Sequence, residues 1–442
     1  MQSFDIALVG AGPAAYAALT AMRGFSGSVA VVTGATSKPS QGGPVKIVSV
    51  AYERQQPACL ADRTEVSGGD APPMFAAAEV GGLANYWGKQ LQVYDCDDPW
   101  GRGQFLETWW DYCAACEAVQ RDLKVVGGAR HELLENGLEK SVPRLLTGTS
   151  ETPNAGLRTM ARAVEARLKE MSNVSVRAGR VSRILSGQGM VRLDLDDGTQ
   201  LRARHVFLAS GVLGTANLLA RSLPQASQIG FRDHAPYIMN CLWLSRALGS
   251  PRAYAEAGHF NALTLKHKVG GRCDLFASVY AVSQAPISLI TATFGLGPHL
   301  RGRRIGRLVD FVQPIRIWTP TTMVQLRHLP REGRIKANKV PDAGQDVGLR
   351  NLLDWLASHG VRHTLGVTAP GQGFHYHKLT VGDRDEPVDQ VVESAFDGRV
   401  RVIDASCLQE IGCPPHTLTA MAQAYGRVSQ DLAMVDLMKE AM

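Results

Sequence analysis

Residues Phe4–Thr33 read FDIALVGAGPAAYAALTAMRGFSGSVAVVT, and the organisation of the whole chain follows from them. An apolar run, Ile6 to Val9, meets a turn at Gly10 and Gly12. A segment of small and apolar residues follows, and a β-rich run closes the unit at Val29 to Val32. The pattern predicts strand, turn, helix, strand. The first glycine allows the tight turn, the second lets backbone approach a pyrophosphate, and Ala15 lets the helix lie close to the strand. Free amide N–H groups and the dipole at the helix N-terminus favour an anion, so the stretch predicts a bound dinucleotide.

Thr33 departs from that pattern. It stands at the end of the second strand, where an acidic side chain ordinarily grips the ribose hydroxyls, and Gly34 and Ala35 follow it. Either other groups hold the adenosine ribose, the Thr33 hydroxyl among them, or affinity is lower by on the order of 1 kcal/mol.

The 442 residues suffice for two or three average domains, and 45% apolar with 20% charged residues is the balance of a soluble globular enzyme. A net charge of +6 over this length permits an acidic substrate without requiring nucleic acid. No run of alternating basic and aromatic residues suggests a nucleic-acid groove. No apolar stretch reaches the ~20 residues of a membrane span, and no basic-then-apolar leader precedes Asp5, so the expected location is cytoplasmic. The eight cysteines lack the spacing of a secreted disulfide framework. Cys113 and Cys116 lie on a helical pattern and are read as small core residues, Cys407 and Cys413 as structural, and no metal is expected.

From Gly34 to Pro73 the composition turns to Gly, Ser, Pro and charge, which predicts a loop excursion over 34–73. Next comes GGLANYWG, residues 81–88, where Gly81 and Gly82 allow close backbone approach and Asn85, Tyr86 and Trp87 supply polar and aromatic surface. This string resembles the second flavin-contacting motif of the glucose/methanol/choline oxidoreductase family, in the style of pyranose oxidases and related bacterial members. Members with a tethered flavin have His where this chain has Tyr86, so the resemblance implies noncovalent FAD.

Residues 100–175 are predicted mostly helical, because FLETWWDYCAACEAVQRDL and GLRTMARAVEARLKEM repeat apolar residues at three and four. Strand patterns then surround an Asp196, Asp197, Gly198 turn. The family resemblance implies a backbone clamp on adenine around Val181. It also matches VFLASGVLGTANLL, Val206 to Leu219, and so places Ala209, Ser210 and Gly211 by the diphosphate or adenosine. Asp233 and His234 match a stretch leading into the substrate domain, and His234 is read as structural. Residues 240–370 alternate strand patterns similar to the family's antiparallel floor, where specificity resides. Arg301, Arg303, Arg304 and Arg307 are read as a solvated face.

The closing segment, VRVIDASCLQEIGCPPHTLTAMAQAYGRVSQDLA at 400–433, resembles the family's final signature. It implies Asp404, Ala405, Thr417 and Leu418 against the cofactor. The family's histidine pair falls on His377, with His375 as a near alternative because two residues along a strand return to one face, and on His416. A neutral imidazole takes the hydroxyl proton of an alcohol while hydride leaves carbon, and the second group fixes the oxygen.

The expectation is an α/β chain, α+β overall. A Rossmann-like FAD-binding domain spans 1–228, a substrate-binding domain on an antiparallel sheet flanked by helices spans 229–370, and 371–442 returns to the first domain with the histidines. The implied activity is oxidation of a small hydroxylated substrate, a sugar, polyol or hydroxylated natural product, with oxygen or another carrier as electron acceptor. Non-redox flavin chemistry on the same fold, or binding through a relic site, are the alternatives.

Overall fold

The apolar run Ile6 to Val9 forms the end of a central strand, and its alternate side chains enter two different cores. The computed structural model describes residues 2–34, 74, 76–85, 89–102, 105–128, 131–149, 159–187, 189–248, 261–280, 312–329, 334–337, 346–371 and 373–440. Strand β1 (Gln2–Val9) pairs in parallel with β2 (Val29–Thr33) and with β10 (Gln200–Leu208), and β2 pairs in parallel with β7 (Val174–Ala178). The order is β7-β2-β1-β10, extended by the antiparallel strands β9 (Val191–Leu195) and β8 (Val181–Ser186), with β21 (Val400–Val402) parallel to the second half of β10. Strands covered on both faces read as continuous apolar runs, which is the pattern of VAVVT. Gly198, at φ +83, makes the turn between β9 and β10.

Ile6 and Leu8 join the core that holds helix α1 (Pro13–Ala21), α2 (Trp109–Gln120), α3 (Thr159–Glu170) and the long α7 (Thr417–Glu440). Ala7 and Val9 point the other way. Their core holds α4 (Gly211–Ser222), α6 (Val388–Ala395) and one face of a five-stranded antiparallel sheet. That sheet has the order β17 (Arg334–Ala337), β16 (Met323–Leu329), β11 (Ile229–His234), β19 (His377–Val381) and β20 (Glu386–Pro387).

A seven-stranded antiparallel sheet has its own core against α5 (Val347–Ser358). Its order is β18 (Arg362–Val367), β12 (Tyr237–Leu242), β15 (Val312–Trp318), β14 (Arg272–Tyr280), β13 (Asn261–Val269), β5 (Leu138–Ser141) and β4 (His131–Leu133). The fold is therefore mixed α/β, a Rossmann-like unit joined to antiparallel sheet.

The helical reading of 100–175 is corrected by four strands between α2 and α3: β3 (Leu123–Val126), β4, β5 and β6 (Leu145–Thr149). The two helices supplied the three-and-four repeat, and α2 begins where a capping box predicts, Thr108 accepting from the Asp111 N–H and Asp111 from the Thr108 N–H. Segments as short as LEKS have little period of their own, and β5 is a strand because β13 offers it a ladder. The excursion 35–73, Tyr86, Trp87 and Arg301 to Arg307 lie outside the described residues. Among the described residues no helix is long and apolar enough to cross a membrane.

Candidate active site

At the end of β1 the chain turns through Gly10, whose φ is +112 and where a Cβ would lie 2.2 Å from the Ala209 carbonyl oxygen, so only glycine fits. The turn is held by the Gly10 N–H on Val32 O and the Ala209 N–H on Val9 O, both 2.8 Å, and by the Ser210 hydroxyl on Val9 O at 3.1 Å. Gly81 donates its N–H to Ala11 O at 2.7 Å, which docks the 79–85 segment against the same turn. A Cβ on Gly81 would meet Asn85 Oδ1 at 2.3 Å, and Asn85 is buried beneath, its amide donating to Glu79 Oε1 and Val80 O. The structure thus brings together Gly10, Gly12, Gly81, Gly82, Asn85, Ala209, Ser210 and Gly211, which come from three separate stretches.

The arrangement fits a diphosphate. Helix α1 opens with Gly12 at its N-cap, no side-chain cap and no acidic residue in its first turn. A Cβ at Gly12 would have 4.0 Å to its nearest neighbour and one at Gly211 would meet nothing within 4 Å, so a hollow faces two helix starts. Ala15, fully buried, lets α1 pack on β1. The Thr33 hydroxyl donates to Ala78 O at 3.4 Å, and Gly179, two residues before Val181, donates its N–H to Thr33 O. Asp404 ties the end of β21 to α4, accepting from the Thr215 hydroxyl at 2.7 Å and from the Ser406 N–H at 2.9 Å ahead of the Ala405 turn. Leu418 is buried in the α1 core.

Farther along, a chamber of histidines forms where β11, β19 and the start of α7 meet. Strands β11 and β19 are antiparallel with Arg232 opposite His377, which sets Asp233 and His234 beside the approach to β19. The Asp233 carboxylate accepts the N–H groups of Gly373 and His375, each at 2.8 Å. Gly373 crosses so close that a Cβ there would sit 1.4 Å from His234 O. The result is a clamp: one carboxylate and one glycine fix the path of residues 373–377.

That path gathers the rings. His375 and His416 have centroids 5.2 Å apart, His377 and His416 6.4 Å, His234 and His375 5.9 Å, and His234 and His377 6.4 Å. Trp318, from the seven-stranded sheet, stacks on His375 at 5.1 Å with an interplanar angle of 1°. His416 O accepts from the Ala420 N–H and so opens α7. Its seat is fixed by buried tyrosines: the Tyr94 hydroxyl donates to Pro414 O at 3.0 Å, and the Tyr112 hydroxyl shares a hydrogen bond with Thr419 Oγ1 at 2.9 Å.

Burial holds the imidazoles neutral. It depresses His416 to about 4 and, with the His416 charge assisting, His234 to about 3; His375 and His377 fall well below the ordinary value for the same first reason. His377 Nδ1 lies 3.0 Å from His375 O. A carbonyl only accepts, so that nitrogen bears the proton and Nε2 keeps its lone pair. Nε2 of His377 and Nδ1 of His234, His375 and His416 have no hydrogen-bond partner among the described residues. Asp233 is raised to about 7 by burial, against the two backbone N–H groups and the Arg316 charge that lower it.

Sequence reading brought His375, His377 and His416 to one place, matched Asp233 and His234 to the stretch leading into the substrate domain but read His234 as structural, and did not single out Trp318. The Asp-His pair at the end of β11 was the available signal; for Trp318 there was none, because its role arises from a cross-sheet stack. Cys116 is buried with its thiol pushed up to about 12 by burial, which suits a core residue. Among the described residues no group of three or more His, Cys, Asp or Glu is arranged to hold a metal ion.

No family model matches the chain, and no curated protein matches it by sequence. Among solved structures, pyridoxine 4-oxidase from Mesorbium loti is similar, with a TM-score of 0.55 and 14% identity over 96% of this chain and 98% of that one. At that identity the likeness shows the fold alone.

Proposed function

We propose that the protein is an FAD-dependent oxidoreductase acting on an alcohol, with residues 1–228 and 371–442 holding the cofactor and 229–370 contributing to the substrate side. The observation that supports this most is a set of neutral, buried imidazoles at the N-terminus of α7, within one chamber of a chain whose first turn is shaped for a diphosphate. In this reading Gly10, Gly12, Gly81, Gly82 and Ala209 to Gly211 hold the diphosphate, with Asp404, Ala405, Thr417 and Leu418 behind the ring system. When bound, FAD supplies the hydride acceptor.

The chain's own residues do the rest. A substrate hydroxyl must reach its base, and His375 is half-buried whereas His377 is fully buried, so access and the shorter distance to His416 favour His375 as the proton acceptor. His416 holds the hydroxyl oxygen. His377, bonded to the His375 carbonyl, and Asp233, bonded to the His375 N–H, keep that backbone in place. A positioned base of this kind contributes roughly a hundredfold to ten-thousandfold in rate.

The test is spectroscopic. Freshly purified protein should release yellow FAD into the supernatant on heating, and an alcohol should bleach the bound flavin without oxygen. His375→Ala and His416→Ala should slow bleaching at least a hundredfold while retaining FAD, and His377→Ala should slow it less. Protein that never binds flavin, or variants that bleach at the parental rate, would overturn the assignment.

A further inference from the structure

The seven-stranded sheet presents two chemically different faces. Ile315 and Ile317, with Leu275, Ala277 and Val279, enter the core against α5. Arg316 and Trp318 alternate with them and therefore face the other way, as do Phe276 and Ser278 on the adjoining strand. Because Trp318 stacks on His375, that second face is a wall of the histidine chamber.

Arg316 is central to this wall. Its guanidinium carbon lies 5.9 Å from the centre of the Trp318 ring, and its side chain shares a hydrogen bond with the Tyr280 hydroxyl. Its positive charge acts on both Asp233 and His375. Ser278 sits directly opposite Arg316 across the strands, and its hydroxyl bonds Gln90 Oε1 at 3.3 Å. The other end of that buried amide has no partner, and neither has the buried indole N–H of Trp318 among the described residues. An indole nitrogen can only donate, and an orphaned buried donor costs about 1–3 kcal/mol until an acceptor reaches it. Asp233 does not supply that acceptor: its oxygens take the N–H groups of Gly373 and His375, and the indole N–H is bonded to neither.

One fixed positive charge beside an unmet N–H donor defines the complement. We propose that this wall receives an anionic group of the substrate, a carboxylate or a phosphate ester, through Arg316 and Trp318 Nε1, so that the molecule presented to His375 and His416 is a hydroxylated acid. This rests on the oxidoreductase reading for the identity of the reacting group, but the anion-binding wall stands on its own residues. Arg316 is the specificity-determining residue, because a guanidinium fork meets two oxygens at once.

The experiment measures binding without turnover. Flavin-loaded protein is titrated by calorimetry with matched pairs that differ in the charged group: glycolate against glycolamide, mandelate against mandelamide, and glycerol phosphate against glycerol. The acids of at least one pair should bind about tenfold or more tighter than their neutral twins, the equivalent of one charge-assisted hydrogen bond. Preference in the carboxylate pairs or in the phosphate pair distinguishes the two sources. Arg316→Gln should reduce the preference below about threefold and Arg316→Lys should retain part of it, while Trp318→Phe, which keeps the ring, should weaken the acids alone.

Absence of any acid preference in the parent protein, no binding included, overturns the proposal, and so does a preference that survives in folded Arg316→Gln. Acids that bind through Arg316 yet never bleach the flavin would overturn the redox reading and leave this one standing. Alcohols that bleach it with no regard to charge would do the reverse.

Discussion

The glycine turn proposed to hold a diphosphate and the histidine chamber are built by opposite means. In the glycine turn, Gly12 and Gly211 leave space, Gly10 and Gly81 let Ala209 O and Asn85 pack close, and the useful groups are backbone N–H donors at a helix start. In the chamber, side chains fill the space, and the backbone is pinned so that four rings converge. A site made of absent side chains needs only local sequence. One made of convergent side chains depends on every element that brings them together.

The largest expected effect separates the two through acid. His416 has a folded value of about 4, below its ordinary 6.5, so as pH falls the unfolded chain takes the proton first. Its contribution is full above about 6.5 and is lost as pH falls towards about 4, at roughly 1.4 kcal/mol per pH unit for each histidine that behaves so. Asp233, raised from 3.8 to about 7, works in the opposite sense, losing stability as pH rises through that interval. Burial also raises Asp98 and Asp404, but it lowers His205 and His328 beside the four chamber imidazoles, so the histidines outnumber the carboxyls that oppose them. Thermal unfolding from pH 8 to pH 4 should show a steep loss below about 6.5, shallower in His416→Gln and unchanged in Gly12→Ala. A flat profile would mean that the rings are not held neutral.

Next in size is Gly373→Ala, which forces a Cβ against His234 O and should cost about 3 kcal/mol or more in urea unfolding. Gly12→Ala has 4.0 Å of room and should leave unfolding almost unchanged while flavin is released more readily. Equal destabilisation by the two would break the contrast. Asp233→Asn keeps the shape of the clamp but presents an amide to two N–H donors, and should cost about 2 kcal/mol with bleaching slowed and FAD retained. Cys113→Ala, at a half-buried position outside both regions, should move stability by no more than about 0.5 kcal/mol and leave bleaching unchanged.

What was legible in the sequence follows the same division. Gly10, Gly12 and Ala15 lie within six residues, and their roles depend on a strand and a helix that the same stretch specifies. His375, His377 and His416 became visible through motifs around them, yet nothing local distinguishes His375 from His377, because the choice turns on burial by neighbours from other strands. His234 meets the chamber only through the β11–β19 register, and Arg316 and Trp318 only through the packing of one sheet against another loop. Of the strands between α2 and α3, β5 was missed for a related reason, since its partner β13 lies more than a hundred residues away, whereas β3 pairs with β6 and β4 with β5.

Helix α7 packs against α1, though about 400 residues separate Pro13 from Thr417. Until α7 leaves the ribosome, the face of α1 that it covers stays open to water. Synthesis at 5–20 residues per second makes that interval about 20–80 s. Helix α1 emerges long before α7 and is thus shielded late, and nascent chains arrested before Ala405 should be protease-sensitive within this βαβ unit, a period in which holdase chaperones protect it.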